Sequence, residues 1–116
     1  RATGIVISRT GAIVVSFGRT LVLCNVRGDV MRRAVCSGDI HTMYVPHCAR
    51  FVLTASAREI TVRHIHTLRV FKVLDDSPVA DIVCVGVAPD DRCVAAGLIT
   101  GNVELYATDL THDAGK

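Results

Sequence analysis

The chain has 116 residues, of which 50% are hydrophobic and 21% charged, a balance that favours one folded domain and excludes intrinsic disorder. Its net charge of +2 is too small to indicate a nucleic acid as partner, and no apolar run approaches the roughly 18 residues of a membrane-spanning helix. Aromatic residues make up only 4%, with no Trp, whereas Val is abundant, which favours β-structure with an aliphatic core.

Short β-rich runs alternate with turn signals along the chain, and no run has the length and the roughly 3.6-residue period of a helix. The pattern predicts strands over residues 4–9, 12–17, 20–26, 30–36, 40–45, 50–56, 59–65, 68–74, 81–87, 93–98 and 102–108. Gly, Pro, Asp and Ser fill the breaks, because they supply the backbone angles of tight turns. Neighbouring strands should be antiparallel, since a parallel crossover needs about a dozen residues or more. The polar tail 111–116 is predicted to be a frayed end or the start of a linker.

An internal repeat organises these strands. Ser16, Ala55 and Gly97 each stand near the end of an apolar strand that follows a polar turn, and they are 39 and 42 residues apart. An alternating apolar strand follows each of them. The repeating unit is therefore about forty residues with four short strands, which is the size of a β-propeller blade.

The third unit carries the clearest resemblance to a known family. Its run from Val87 to Tyr106 resembles the WD40 repeat, with Pro89 and Asp90 in the first turn, Gly97 closing the second strand, and Tyr106 at the position of the family's Trp. The resemblance implies an all-β fold, a partial WD40-like β-propeller of four-stranded antiparallel blades, about 2.75 blades in all. It would occupy residues 1–110, in units of approximately 4–38, 39–76 and 79–110.

The repeats are degenerate. The Gly-His pair that precedes the first strand of a WD40 repeat is absent from all three units. Cys24, Arg63 and Tyr106 stand in place of the family's Trp, so the polar network that braces many WD40 blades is not expected. We expect apolar packing to hold these blades together.

A narrower resemblance covers residues 80–109, which are similar to the last WD40 repeat of the BEACH-domain proteins, the neurobeachin-like trafficking scaffolds. Residues 6–18 and 25–29 are similar to blades just upstream in that family. The resemblance implies a cytoplasmic scaffold in vesicle or membrane trafficking that is peripherally associated with membranes.

The cysteines favour a reducing, intracellular compartment, because their number is odd and none forms a C-x-x-C pair. They are Cys24, Cys36, Cys48, Cys84 and Cys93. Those inside apolar runs should behave as small buried hydrophobes, and burial raises a thiol pKa and leaves it unreactive. The adjacent carboxylates Asp75–Asp76 and Asp90–Asp91 fall in turns, where Asp bonds the local backbone. We therefore predict neither a catalytic site nor a cofactor, and a protein that is not an enzyme.

His64 and His66 would share one strand face, since side chains on a strand repeat every two residues. With His41 or His47 and Cys48 nearby they could form a zinc site, but the spacing matches no established zinc pattern. We interpret the pair as structural or surface histidines, with no metal site. The alternative is a free-standing small β-domain that binds a metal or small ligand near His64 and His66.

Basic residues are frequent in the central stretch: Arg32, Arg33, Arg50, Arg58, Arg63, Arg69 and Lys72. We interpret them as a solvated face, and contact with an acidic partner or an anionic membrane surface is the alternative.

The predicted function is protein binding through the loops at the blade ends, since functional residues on such scaffolds sit in loops. By position in these loops alone, the candidate contact residues are Arg19, Ser37, Asp39, Arg58, Asp76 and Thr100. The expected partners are other proteins and the remaining blades of a parent propeller, with peripheral membrane association and no nucleic acid.

Fewer than three blades cannot close a ring of roughly four to eight, and the chain starts at Arg1 without a Met or a signal peptide. We therefore expect a piece of a longer chain, with apolar blade faces and strand edges left exposed.

Overall fold

A computed structural model describes residues 2–75, 80–108 and 110. This part of the chain forms the strands β1 (Gly4–Ile7), β2 (Ile13–Phe17), β3 (Thr20–Cys24), β4 (Val30–Val35), β5 (Thr42–Tyr44), β6 (Phe51–Ser56), β7 (Glu59–His64), β8 (Val70–Asp75), β9 (Ile82–Val87), β10 (Cys93–Leu98) and β11 (Val103–Ala107). Within it, no helix is long and apolar enough to cross a membrane. The predicted tail 111–116 lies outside the described residues.

The strand ends agree with the sequence-based prediction to within two residues. The largest differences, of two residues, are at four places. β1 and β3 end at Ile7 and Cys24 rather than at residues 9 and 26, and β5 and β8 begin at Thr42 and Val70 rather than at residues 40 and 68. Leu68 has a φ of 62°, a left-handed conformation that no strand residue adopts, so β8 can begin only after it. The turn residues in the sequence therefore predict the number and order of the strands, whereas the backbone conformation at each turn determines where a strand begins or ends.

The strands form three antiparallel sheets, each with its strands in chain order. The first sheet is β1–β4, the second is β5–β8 and the third is β9–β11. Between sheets, β1 contacts β5 and β5 contacts β9, so the first strands of the three sheets are neighbours. This is the arrangement of adjacent propeller blades, whose first strands surround a common axis.

The register confirms the repeat that the sequence indicated. Ser16, Ala55 and Gly97 are each the last but one residue of the second strand of a sheet. Each pairs with the position that is apolar in all three units: Leu21, Ile60 and Val103. At Gly97 a larger residue would not fit without a shift, because an added Cβ would lie 2.8 Å from the Sγ of Cys84 on the paired first strand.

The sheets pack face to face through apolar side chains. One cluster joins the first and second sheets: Ala12, Val14, Leu21, Leu23, Cys36, Ile40, Val52, Ile65 and Leu68. Two clusters join the second and third sheets: Phe51, Leu53, Val62, Val94 and Leu110, and Ala55, Ile60, Ile82, Ala96 and Leu98. Full burial of one such large side chain contributes about 1.5–3 kcal/mol, against about 1 kcal/mol net for a hydrogen bond. Apolar contact therefore dominates the stacking.

The outer faces of the first and third sheets are apolar and exposed, as the sequence predicted. Leu23 and Val62 are buried between sheets, whereas Leu105, at the equivalent position in the third sheet, is 70% exposed. On the far side of the first sheet, Ile7 is 65% exposed. Cys84 was expected to pack as a small hydrophobe, but it is exposed because it faces outward from the third sheet, opposite Gly97.

Asp91 connects the third sheet to the second. It lies in the β9–β10 turn with a φ of 59°, a conformation that Asp tolerates better than most residues, and it is only 3% exposed. Its Oδ1 accepts a hydrogen bond from the backbone N–H of His47 at 2.9 Å, and its Oδ2 accepts one from that of Cys48 at 2.6 Å. Both oxygens of a buried carboxylate thus fix the β5–β6 turn onto the neighbouring sheet.

We expect Asp91→Asn to lower the free energy of unfolding by about 2 kcal/mol, because an amide NH₂ would then face one of the two backbone donors. Asn keeps the left-handed conformation accessible, so the change isolates the hydrogen bonds. The measurement is urea denaturation of both proteins.

Asp90→Asn is the matched control. Asp90 is exposed and accepts one hydrogen bond, from the backbone N–H of Arg92, which an amide oxygen can also accept. Equal losses of stability in the two variants would contradict the role assigned to Asp91.

Candidate functional site

One edge of the three sheets carries the predicted contact residues. We call it the front edge; it consists of the β2–β3, β6–β7 and β10–β11 turns, the connection 36–41 between β4 and β5, and Asp81. Arg19, Ser37, Asp39, Arg58 and Thr100 all lie on it and are exposed. Asp76, the remaining predicted residue, lies outside the described residues.

Backbone hydrogen bonds hold the connection 36–41 against the first sheet. The N–H of Cys36 donates to the carbonyl of Arg19, and the N–H of Ile40 donates to the carbonyl of Gly18, both at 2.7 Å. Gly18 has a φ of 64°, which the tight β2–β3 turn requires. The position of Asp39 on the front edge is therefore set by the sheet beneath it.

Side chains connect the same segment to the second sheet. The hydroxyl of Ser37 donates to Oε1 of Glu59 at 3.0 Å, and the hydroxyl of Thr61 donates to the same oxygen at 2.9 Å. Glu59 was not among the predicted residues. A Glu at the start of a strand gives no signal by itself, and its role depends on how the first two sheets pack.

The front edge continues from the second sheet to the third. Arg58 forms a salt bridge of 3.0 Å with Asp81, and the two side chains are 65% and 50% exposed. Such an exposed pair is screened by solvent and contributes little stability, so both groups can exchange to another partner. The carbonyl of Asp81 accepts from the N–H of Ile99, which places Thr100 next along the edge.

Two open depressions follow this edge. One, of about 280 Å³, is lined by Ser37, Gly38, Asp39, His41, Ser56, Ala57 and Arg58. The other, of about 400 Å³, is lined by His41, Ala57, Asp81, Ile82, Val83 and Ile99. His41 belongs to both, and sequence reasoning had considered it only as a metal ligand.

The predicted histidine pair lies on the opposite edge, which we call the back edge and which consists of the β1–β2, β3–β4, β5–β6, β7–β8 and β9–β10 turns. β7 ends at His64, so His66 lies in a turn and the two do not share a strand face as expected. The chain turns here because Leu68 adopts a left-handed conformation. The imidazole of His64 packs against the rings of Phe51 and Phe71, at centroid distances of 5.3 and 5.7 Å.

Among the described residues, no group of three or more His, Cys, Asp and Glu could hold a metal ion. His41 lies on the front edge, away from His64 and His66, whereas His47 and Cys48 lie in the β5–β6 turn of the back edge. His64 and His66 instead line a pocket of about 440 Å³, together with Arg50, Thr67, Arg69 and Val70.

Two of the thiols and one pair of adjacent carboxylates are in environments that do not favour catalysis. Burial raises the pKa of the Cys36 thiol and of the Cys48 thiol, which disfavours the nucleophilic thiolate. Asp90 and Asp91 accept backbone hydrogen bonds rather than forming a catalytic pair. The side chain of Asp75 and all of Asp76 lie outside the described residues.

No protein-family model matches the chain, and no curated protein matches it. Among solved structures, it is similar to the β-propeller domain of Cps50 (Swd1) from Myceliophteria thermophila, with a TM-score of 0.77 at 17% sequence identity. The match covers 90% of this chain and 33% of that chain, so this chain spans about a third of the propeller domain. Together with the three blade-like sheets, this likeness shows that the chain has the fold of part of a WD40-like β-propeller.

Proposed function

We propose that the chain is a non-enzymatic protein-interaction scaffold that presents its front edge to other proteins. The observation that carries the proposal is the row of exposed polar residues that the described turns of all three sheets place on one edge, with backbone hydrogen bonds holding the connection 36–41 and Ile99 in place. Propellers of the WD40 type generally bind other proteins, which agrees with this use of the edge.

The chemistry of the front edge suits a polar protein surface. Arg19 and Arg58 alternate with Asp39 and Asp81, so a partner needs charges of both signs in matching order. Alternating charges favour specificity and the rate of encounter more than raw affinity. The depressions are wide and open, which suits the side chains of a partner better than a small molecule.

We also propose that further propeller blades cover the outer faces of the first and third sheets. The supporting observation is positional: Leu21 and Ile60 are fully buried against the next sheet, but Val103, at the same register, is 64% exposed. Because Val103 is aliphatic like its two buried equivalents, we infer that it too packs against a neighbouring sheet. If the chain sediments as a stable, folded monomer, the proposal that further blades cover these faces is contradicted.

The finer proposal is that the parent is a BEACH-type protein in vesicle or membrane trafficking, cytoplasmic and peripheral to membranes. Its support is the sequence resemblance of residues 80–109 alone. The full reading frame tests it directly: a BEACH segment in the same protein supports the assignment, and its absence contradicts it.

Removing three charged side chains from the front edge tests its role in binding. We expect Arg19→Ala/Asp39→Ala/Arg58→Ala to reduce recovery of the bound proteins on the order of fivefold, because contact residues of this kind cost about 1 kcal/mol or more when truncated. Recovery is measured by affinity purification with quantitative mass spectrometry.

The matched control removes the same charges from the back edge: Arg27→Ala/Asp29→Ala/Arg92→Ala. All six side chains are exposed, so both triple variants should stay folded. The proposal fails if the front-edge variant recovers the same proteins as the unmodified chain, or if both variants lose them equally.

Another prediction concerns the outer face of the third sheet. We expect Val103→Thr/Leu105→Thr to reduce self-association in sedimentation velocity while changing the free energy of unfolding by less than about 0.5 kcal/mol, because both side chains are exposed.

Leu23→Thr is the control, since Leu23 is the buried equivalent of Leu105; it should cost about 2–4 kcal/mol in urea denaturation. Unchanged self-association in the third-sheet variant would refute a contact face there.

A further inference from the structure

We propose that the pocket on the back edge binds a phosphate monoester, namely a phosphorylated side chain of a partner protein. Its lining residues are Arg50, His64, His66, Thr67, Arg69 and Val70. The pocket is separate from the front edge, so this inference does not depend on the function proposed above.

Three strand ends of the second sheet bring two arginines and a histidine together. Arg50 precedes β6, His64 ends β7, and Arg69 precedes β8. The carbonyl of Arg50 accepts from the N–H of Ile65 at 2.9 Å, and the carbonyl of Arg69 accepts from the N–H of His64 at 2.9 Å. The two arginines thus flank the end of β7, and the pocket of about 440 Å³ opens between them.

The pocket is lined by polar side chains of which, within the described residues, only the Thr67 hydroxyl is engaged, since it accepts a hydrogen bond from the backbone N–H of Arg69 at 3.2 Å. No carboxylate lines it, and in the described part of the chain no hydrogen bond or ion pair engages the side chains of Arg50, Arg69, His64 or His66. The nearby carboxylate on the β9–β10 turn, Asp91, is buried with both oxygens already bonded to backbone N–H groups. Among the described residues, the guanidinium groups of Arg50 and Arg69 therefore have no carboxylate partner, which leaves their N–H donors available to an external anion.

The pocket is held in shape from both sides. The rings of Phe51 and Phe71 stack at 4.9 Å and support the imidazole of His64. Behind the turn, the guanidinium of Arg63 donates to the carbonyl of Leu68 at 2.8 Å. Leu68 keeps a left-handed φ of 62° that is costly for a branched apolar residue and persists only when its surroundings enforce it. That conformation reverses the chain and brings Thr67 and Arg69 to the rim.

The donor set selects the class of ligand. Guanidinium groups bind oxyanions through paired N–H donors and do not ligate metals, so two arginines favour an anion over a cation. Two guanidinium forks, two imidazole N–H groups and the Thr67 hydroxyl offer more donors than the two oxygens of a carboxylate can use. A phosphate monoester carries up to two negative charges and three strong acceptor oxygens, which matches this set better.

The surroundings favour a phosphorylated protein over a membrane. Asp29 and Asp90 are exposed on turns of the same edge beside Arg27 and Arg92, so these turns carry charges of both signs and not the uniformly positive face that a flat anionic surface favours. A single phosphorylated side chain can enter the pocket without such a face. Val70, which is 51% exposed at the rim, offers an apolar contact for a neighbouring residue of the peptide.

The test is fluorescence anisotropy of the chain with a fluorescein-labelled degenerate peptide library fixed at phosphoserine, and with the same library fixed at serine. We expect saturable binding of the phosphoserine library alone, weakened at least about tenfold by Arg50→Gln/Arg69→Gln. Both arginines are exposed, so the variant should keep the fold, which circular dichroism and urea denaturation check.

The matched control is Arg27→Gln/Arg92→Gln, which removes two exposed arginines of the same edge outside the pocket. It should bind within about twofold of the unmodified chain. Equal binding of both libraries, equal loss in both variants, or no binding of the phosphoserine library overturns the proposal. The proposal is also overturned if the chain binds phosphatidylserine vesicles but not the phosphoserine library, and if that binding depends on Arg50 and Arg69. The pocket would then serve a membrane.

Discussion

The rest of this structure depends on the packing of one apolar sheet face against the next. Each sheet has two such faces, and with no helix to cover them in the described part of the chain, another sheet must do so. The second sheet shows the result, because all six residues of β6 (Phe51–Ser56) are buried. In β2 and β10 burial alternates, since only one face of each sheet is covered.

Because the sheet faces are used for apolar packing, the charged and polar side chains that could bind a partner lie on the two edges. The front edge carries charges of both signs, and its exposed Arg58–Asp81 pair can open at little cost. The back edge carries the anion pocket beside His64, where positive groups face no carboxylate. Backbone hydrogen bonds fix the described turns of both edges to the sheets, so the backbone of these turns is ordered before a partner arrives. Preorganisation of this kind reduces the entropy lost on binding.

Local patterns predicted the strands well, because turn residues and alternating apolar residues act over a few positions. The same patterns gave little information about contacts between residues of different sheets. Asp91 gave only a turn signal, but its carboxylate also fixes the β5–β6 turn of the neighbouring sheet. The sequence pattern placed His64 and His66 on one strand, but β7 ends at His64. The left-handed conformation of Leu68, further along the chain, belongs to the turn in which His66 lies. Of the predicted contact residues, Arg58 was placed correctly in a turn, and its partner Asp81 was invisible to the sequence.

The sequence by itself determined the all-β class, the forty-residue repeat and the positions of the exposed turns. These follow from side-chain alternation and turn chemistry, which are properties of short segments. Only the tertiary structure decided which turns share an edge, that Arg50 and Arg69 flank one pocket, and that Leu105 is exposed where Leu23 is buried. Those properties arise between sheets, where residues distant in the chain meet, and no local pattern records which faces will be covered.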